Sequence, residues 1–394
     1  NEEIKDTIFS LPKVYREVVY LYYYNSLTNV QYDIGSEIEV TATEINSILN
    51  SISELNTKIS EVEPHGMTPN DLYDSRDLLV DKLSGLMNIK VTNVTPKEYG
   101  NALASAEGLY HIELLRADGT QTGINLLEVT EDDGIVGVAK IEVNSQSGKV
   151  NQNDGAPVSE IIITNSNGSV STLNGSDMNI GGELTGLIHS YGYINMAGET
   201  KGSYPEMIEK LNNVAKAFAD EFNSIHAGGY SLNSTSTAPD GGEFFTISGN
   251  NPAQSIKVAD DIVINPSKIA AGLGDGHAAN NQNILSLATL KTKAFTKYDS
   301  TPPVGMSGNL DSFYAGIIGS LGVESQSAIK NLGNATTIAA SIEERRQSIS
   351  SVSLDEEMVN MISFQHAYNA SSRMITVVDE MLDKIINGMG VVGR

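Results

Sequence analysis

The sequence predicts an α+β fold, in which the N- and C-terminal parts form a coiled-coil-like bundle of long helices and an antiparallel β module is inserted between them. Two observations support this prediction. Apolar residues near both ends of the chain recur in alternating steps of three and four, which is the spacing of a helical seam. In the middle of the chain this period is lost, and β-prone runs alternate with turn dipeptides. The expected domains are a helical segment 1–28, a helical domain in two parts, 29–95 and 181–353, the β module 96–180, and a C-terminal helix 354–394.

The first seam lies on a helix that is predicted to begin near Ile38. Its spacing extends over nearly three heptads, so a helical partner is expected for it. The run Pro64-His65-Gly66 is predicted to end this helix, and Asn70 or Asp71 to begin the next one. The seam consists of Ile45, Ile48, Ile52, Leu55, Ile59 and Val62.

Five Asp-Gly or Asn-Gly pairs mark tight turns in the β module. The glycine of such a pair tolerates the positive φ angle that a short hairpin needs. Between them lie the β-prone segments 110–114, 135–143 and 161–163, so we expect antiparallel hairpins. The pairs are Asp118-Gly119, Asp133-Gly134, Asp154-Gly155, Asn167-Gly168 and Asn174-Gly175.

Helical periodicity returns after the β module. A helix is predicted over 203–228, followed by a turn-rich stretch 231–281 and by further helices over 284–295 and 310–350. The last helix is predicted over 354–387 and, at 1.5 Å per residue, would be about 50 Å long. An apolar stripe runs along its whole length and is too long for a compact domain of this chain to cover, so this helix is expected to pack against partners. The stripe consists of Met358, Met361, Ile362, Tyr368, Ile375, Val378, Leu382, Ile385 and Ile386.

The composition excludes several classes of function. The chain has 394 residues, which is enough for two to three domains with a sizeable core. It has no cysteine, so disulfides, thiolate nucleophiles and cysteine-ligated zinc are excluded. A formal net charge of −24 disfavours binding to a phosphate backbone, and no apolar run is long enough to insert into a membrane.

No catalytic, cofactor or metal site is predicted, and the chain is not expected to be an enzyme. Its six histidines include no pair at the helical spacing of metal ligands. The glycine-rich run 272–276 lacks the preceding strand and the following lysine of a phosphate loop. The turn at 151–155 lacks the later bidentate glutamate of a calcium loop, and no Gly-x-Ser-x-Gly elbow occurs.

The opening segment contains the runs Leu11-Pro12-Lys13-Val14-Tyr15-Arg16-Glu17-Val18-Val19 and Tyr22-Tyr23-Tyr24-Asn25-Ser26-Leu27-Thr28. Through them, about 28 residues of the chain resemble the start of region four of a bacterial sigma factor. The chain then continues into the acidic run Gln31-Tyr32-Asp33-Ile34-Gly35-Ser36-Glu37 in place of a basic recognition helix, so no promoter-binding role is expected.

The last helix contains four motifs: Ser353-Leu354-Asp355-Glu356-Glu357-Met358, Phe364-Gln365-His366-Ala367-Tyr368-Asn369-Ala370-Ser371-Ser372-Arg373, Asp379-Glu380-Met381-Leu382 and Ile386-Asn387-Gly388-Met389-Gly390. Through them it is similar to the terminal helix of flagellar rod, hook and hook-associated proteins. Three further stretches are Asn70-Asp71-Leu72 with Asp77-Leu78-Leu79, the run Gly181-Gly182-Glu183-Leu184-Thr185-Gly186-Leu187, and the run from Ala219 to Phe244-Phe245. With these, the chain from about residue 35 to its end resembles the flagellar hook-associated FlgK family.

This resemblance implies a structural subunit that joins the flagellar hook to the filament through coiled-coil packing of its terminal helices. It implies export through the flagellar secretion apparatus and an extracellular location on the flagellum. The expected partners are other copies of the chain in a ring, the hook protein, a second junction protein, the filament and an export chaperone, with neither nucleic acid nor membrane insertion. The implied contact surface on the final helix adds Phe364 to the apolar stripe.

Other interpretations remain open at this stage. The chain could be another flagellar axial protein of rod or hook type, or a fusion whose first residues derive from a sigma factor. A secreted enzyme on a hook-like scaffold has no supporting motif, and a transcription factor is supported only by residues 1–28.

Overall fold

The computed structural model describes residues 13–150, 155–275, 277, 279–291, 310–350 and 354–388. The chain divides into two compact units, residues 1–314 and 315–394. Long helices lie in both the N- and C-terminal parts, with antiparallel sheets inserted between them in sequence, which confirms the predicted α+β class. The helices are α1 (Lys13–Val62), α2 (Asn70–Leu86), α3 (Gly182–Tyr191), α4 (Ser203–Ala227), α5 (Pro252–Ser255), α6 (Asp260–Ile264), α7 (Gln282–Ala288), α8 (Leu310–Ser350) and α9 (Leu354–Gly388).

Helix α1 is longer than the sequence predicts. It begins at Lys13 and runs without interruption through residue 28, where a domain boundary was predicted. Residues 1–12 of the predicted helical segment 1–28 lie outside the described residues. From residue 27 onwards one face of α1 is buried and the other is polar, and Val40 is the one large apolar side chain that is more than half exposed on the described part of that polar face.

The β module consists of one antiparallel and one mixed sheet, and it extends beyond the predicted range at both ends. The first sheet has the strand order β1-β2-β3-β4, and the second has the order β10-β9-β7-β5-β6 with β8 also paired to β7. Strands β7 and β9 are parallel where they meet, and all the other pairs are antiparallel. The strands are β1 (Ile89–Val94), β2 (Leu109–Leu115), β3 (Gln121–Thr130), β4 (Gly134–Val138), β5 (Lys140–Ser145), β6 (Gly148–Lys149), β7 (Val158–Thr164), β8 (Val170–Leu173), β9 (Tyr193–Ile194) and β10 (Thr200–Lys201), and a separate hairpin pairs β11 (Phe245–Thr246) with β12 (Lys257–Val258).

Three of the predicted turn pairs form hairpin turns. Gly119, Gly134 and Gly168 have φ angles of 82°, 68° and 80°, and they connect β2 to β3, β3 to β4, and β7 to β8. The pair Asn174-Gly175 instead leads into a short 3-10 helix, Gly175–Met178. Positive φ at the glycine is common to both outcomes, so the dipeptide alone does not distinguish a hairpin from a helical turn.

The predicted helix-pairing seam lies in the core of the first unit. Ile45, Ile52 and Ile59 are fully buried, Ile48 is 6% exposed, and Leu55 and Val62 are half-buried. The fully buried members belong to one continuous cluster with residues of α2, α3 and both sheets. The side chains that were expected to meet a coiled-coil partner are therefore covered by elements of their own unit, because a helix packed on a sheet needs the same three-four spacing as a coiled coil.

Two asparagines of α1 hold a strand of each sheet. The side-chain amide of Asn46 donates to the carbonyl oxygen of Ile141 in β5 and accepts from the Ile141 amide, both at 2.8 Å. The side-chain amide of Asn56 likewise donates to the carbonyl oxygen of Tyr110 in β2 at 2.9 Å and accepts from the Tyr110 amide at 3.1 Å. Each amide thus takes the place of a neighbouring strand and satisfies backbone groups that would otherwise be buried without a partner.

A buried cation lies beside the second of these asparagines. Arg76 of α2 is fully buried, and its guanidinium donates to Asn56 Oδ1 at 3.2 Å and to the carbonyl oxygen of Gly108 at 2.8 Å. It forms an ion pair with Glu107 at 2.9 Å and lies 3.4 Å from the centre of the Tyr110 ring. Helix α2 is thereby fixed to α1 and to the chain that enters β2.

Three tyrosines surround this cation and the buried carboxylate of Glu63. Glu63 Oε1 accepts from the Tyr73 hydroxyl and from the Gly108 amide. Burial, reinforced by the bond to Glu63, raises the pKa of Tyr73 to about 12. Burial also raises the pKa of Tyr99 and of Tyr110, the latter with help from a hydrogen bond to Asp77.

A second, smaller core lies between α4, β11 and α7. The rings of Phe218, Phe222, Phe244 and Phe245 contact one another there with centroid distances of 4.8 to 5.8 Å. Asn223 of α4 donates to the carbonyl oxygen of Phe245 and accepts from the amides of Phe244 and Phe245. The pattern seen at Asn46 and Asn56 therefore recurs at the third sheet.

We predict that Asn46→Ala lowers the free energy of unfolding of the first unit by roughly 2–4 kcal/mol, since it leaves the buried amide and carbonyl of Ile141 without partners. Asn50→Ala is the matched control, because Asn50 is an exposed asparagine of the same helix that bonds only within it. It should change stability by less than about 0.5 kcal/mol. Urea unfolding followed by circular dichroism measures both, and equal effects would refute the role of Asn46.

We also predict that the first unit loses stability as the pH rises above about 10. Tyrosines in the unfolded chain ionise at that pH, whereas Tyr73, Tyr99 and Tyr110 stay neutral in the folded state because their pKa values are raised. Urea unfolding between pH 8 and 12 gives the slope of stability against pH. Tyr73→Phe should make this slope shallower between pH 10 and 12 whatever its effect at pH 8, and an unchanged slope would contradict the assignment.

Candidate assembly surface

Helix α9 contains the residues that the sequence predicts for assembly. It spans 35 residues, about 53 Å at 1.5 Å per residue. Asp355, Glu356 and Glu357 occupy its first turn, where negative charge is favourable to the helix dipole, and it ends at Gly388. The observed bounds agree with the predicted helix over 354–387.

The apolar side chains of α9 are exposed. The ten predicted interface residues have exposed fractions from 45% for Val378 to 76% for Tyr368. Contiguous apolar surface of this extent is rare on soluble monomers and usually marks an interaction site. The ten are Met358, Met361, Ile362, Phe364, Tyr368, Ile375, Val378, Leu382, Ile385 and Ile386.

Helical geometry arranges these side chains as two adjacent stripes. At 100° per residue, members of a stripe recur every three, four or seven residues, and the two stripes together cover roughly half of the helix circumference. The first stripe is Met358, Met361, Phe364, Tyr368, Ile375, Leu382 and Ile386. The second stripe is Met374, Val378, Met381 and Ile385.

Ile362 lies at the edge of the first stripe. It follows Met358 by four residues, but it precedes Asn369 by seven and Arg373 by eleven, so it borders the polar face. It stays part of the predicted interface, on the side nearest the polar face.

Sequence reasoning missed two members of the second stripe. Met374 and Met381 are 65% and 52% exposed and lie seven residues apart, so they are on one face of α9. The sequence does contain a signal for these two methionines: steps of four, three and four residues connect Met374, Val378, Met381 and Ile385. Because this second stripe runs beside the first, a single apolar stripe does not include all of its members.

The charge of the chain is unevenly divided between its two units. Residues 315–394 contain nine of the 49 acidic and six of the 25 basic residues, a net charge of −3. The first unit therefore carries −21 of the total of −24. The second unit, which contains the exposed apolar helix, therefore has the smaller net charge. Electrostatic repulsion between two second units is weaker than between two first units.

One of the six histidines has both ring nitrogens engaged within the fold. His226 is fully buried, and its Nε2 accepts from the Ala270 amide at 2.9 Å while Nδ1 bonds the carbonyl oxygen of Gly242 at 2.7 Å. Nδ1 must then carry the proton, so the ring is neutral and both nitrogens are engaged. Within the described ranges, no group of three or more side chains is arranged to hold a metal ion. Nor does any helix of those ranges combine the length and the apolar character that a membrane span requires.

Two family models match the chain. The model described as the flagellar hook-associated protein FlgK helical domain matches residues 20–245. It begins inside α1 and inside the segment that resembles a sigma factor. The model described as the flagellar basal body rod FlgEFG protein C-terminal matches residues 345–388, which include all of α9.

Two curated relatives are similar over most of the chain. A protein named flagellar hook-associated protein 1 from Bacillus subtilis is 41% identical over 379 residues, which are 95% of this chain and 69% of the relative. A protein of the same name from Escherichia coli is 22% identical, with 90% and 71% of the two chains covered. A solved structure, the flagellar hook junction protein FlgK from Burkholderia pseudomallei, is 20% identical with a TM-score of 0.39, and the match covers 59% of this chain and 34% of that one.

Proposed function

Since the chain belongs to the FlgK family of flagellar hook-associated proteins and has a structural role at the hook–filament junction, we propose that it enters that junction through the two apolar stripes of α9. The observation that carries the proposal is the exposure of these stripes. Phe364, Tyr368 and Ile375 are 73%, 76% and 70% exposed, although side chains of this kind are usually buried.

The breadth of the apolar surface supports contact with more than one neighbour. A helix that pairs with a single partner needs one narrow seam. Helix α9 has a second stripe beside the first, so two helices can pack against it at once. We propose that the neighbours include other copies of this chain in a ring.

The division of charge supports the same arrangement. Packing through the second unit, with its net charge of −3, brings copies together where repulsion is small.

The remaining partners follow from the family and are proposed on that ground. They are the hook protein, a second junction protein, the filament and an export chaperone. The proposed location is extracellular, on the flagellum, after export through the flagellar secretion apparatus. A rod-type or hook-type axial protein is the less favoured alternative, since the rod-protein model matches only residues 345–388 whereas the FlgK model matches residues 20–245.

We predict that Leu382→Glu reduces incorporation of the subunit into flagella by at least about tenfold, because it places a charge in the first stripe. Asn369→Glu is the matched control, since it adds the same side chain on the polar face of the same helix. Incorporation is measured by quantitative mass spectrometry of purified flagella from cells that lack their own copy of the protein. Equal incorporation of both variants would refute the proposed surface.

We also predict that α9 folds stably only on assembly. An exposed helix has no tertiary packing to offset its conformational entropy, so its amides should exchange quickly in a verified monomer. Residues 358–386 should exchange much faster than the buried face of α1, and assembly should slow them. Strong protection of residues 358–386 in the monomer would contradict this prediction, and hydrogen exchange with mass spectrometry measures it.

A further inference from the structure

Methionines are concentrated on the proposed assembly surface. The chain has 11 methionines and neither cysteine nor tryptophan, so thioether sulfurs are its most easily oxidised groups. Four of them lie in the 35 residues of α9 and are exposed: Met358 by 58%, Met361 by 68%, Met374 by 65% and Met381 by 52%.

These four side chains are divided evenly between the two stripes. Met358 and Met361 lie one turn apart at the start of the first stripe, and Met374 and Met381 lie two turns apart in the second stripe. A helix packed along the whole length of either stripe would thus contact a methionine pair. By contrast, Met87 and Met178 are 0% and 1% exposed in the core of the first unit and are protected by packing.

We propose that Met358, Met361, Met374 and Met381 form an oxidation site through which peroxides block assembly of the free subunit. The inference rests on the proposed function of α9. In each reaction the thioether sulfur attacks one peroxide oxygen, the O–O bond breaks and an S=O bond forms. The sulfur is oxidised by two electrons to the sulfoxide, and hydrogen peroxide is reduced to one water molecule.

The chemical change acts directly on the stripes. A sulfoxide is polar and accepts hydrogen bonds, whereas a thioether packs as a flexible apolar group. Burying a sulfoxide in an apolar contact without a donor should weaken association by about tenfold for each modified residue. The assembled state covers the same sulfurs, so the sensitive form is the subunit before assembly.

A first experiment compares the sites of oxidation in free subunits and in purified flagella. Both are treated with the same low dose of hydrogen peroxide, and sulfoxide at each methionine is quantified by peptide mass spectrometry. The four methionines of α9 should be oxidised at least about tenfold more slowly in flagella. Met67 and Met196, which are 55% and 70% exposed in the first unit, serve as internal controls for oxidant access. Equal oxidation of the α9 methionines in the two samples, with the controls also unchanged, would overturn the inference.

A second experiment tests the effect on assembly. The variant M358L/M361L/M374L/M381L and the control variant M67L/M196L are each treated with peroxide, mixed with flagella that lack the protein, and compared with their own untreated samples. Peroxide should reduce incorporation of the wild type and the control variant by about tenfold or more and leave the treated-to-untreated ratio of the four-site variant near one. Equal ratios for all three proteins would overturn the inference.

The design separates failure of this inference from failure of the proposed function. If Leu382→Glu blocks incorporation while peroxide has no effect on any protein, α9 is the assembly surface and its methionines are not a control site. If the four-site variant does not incorporate even untreated, M374L/M381L replaces it and is compared with its own untreated sample in the same way. If that variant is as sensitive to peroxide as the wild type, oxidation of Met374 and Met381 does not block assembly.

Discussion

The fold of the first unit depends on side-chain amides of helices that bond the backbone of strands. A strand whose edge faces a helix has amide and carbonyl groups that the helix backbone cannot satisfy, because its own groups are paired within it. Asn46 and Asn56 meet this need for β5 and β2, and Asn223 meets it for β11. Each supplies one donor and one acceptor at about the spacing of a neighbouring strand. The two sheets of the β module are thereby fixed to one long helix, and the register of each strand against that helix is specified by a single residue.

The buried cluster around Arg76 extends this arrangement. The oxygen of Asn56 accepts from both Tyr110 and Arg76, so the amide that holds β2 is itself oriented by the cation. Glu107 forms an ion pair with Arg76, and Glu63, next to the end of α1, accepts from the Gly108 amide just before β2. Removing one member of such a network leaves another buried charge or dipole without a partner, which costs more than the lost bond alone. The cluster consequently couples the end of α1, helix α2 and the β module into one cooperative unit.

Sequence reasoning recovered what depends on periodicity and local turn chemistry, and missed what depends on long-range polar contacts. Helices α4, α8 and α9 and three of the hairpin turns follow from spacing and from Asp-Gly and Asn-Gly pairs, which act within a few residues. Asn46 and Asn56 have no local signature, since their partners are 95 and 54 residues away. The spacing from Ile45 to Val62 shows that this face of α1 is apolar, but it does not show whether a partner chain or the strands of the same unit pack on it.

The contrast between α1 and α9 explains how one chain can be a stable subunit and an assembly component at once. Both helices have three-four apolar spacing, but α1 adds asparagines that bond the strands of its own unit, whereas the apolar stripes of α9 contain no comparable polar anchor among the described residues. Polar anchors fix one partner in one register, which suits a core. Apolar and flexible methionine-containing stripes tolerate several packings, which suits the proposed contact of α9 with more than one neighbour. The methionine side chains that adapt best to different neighbours are also the ones that peroxides oxidise first, so the same surface is sensitive to oxidation.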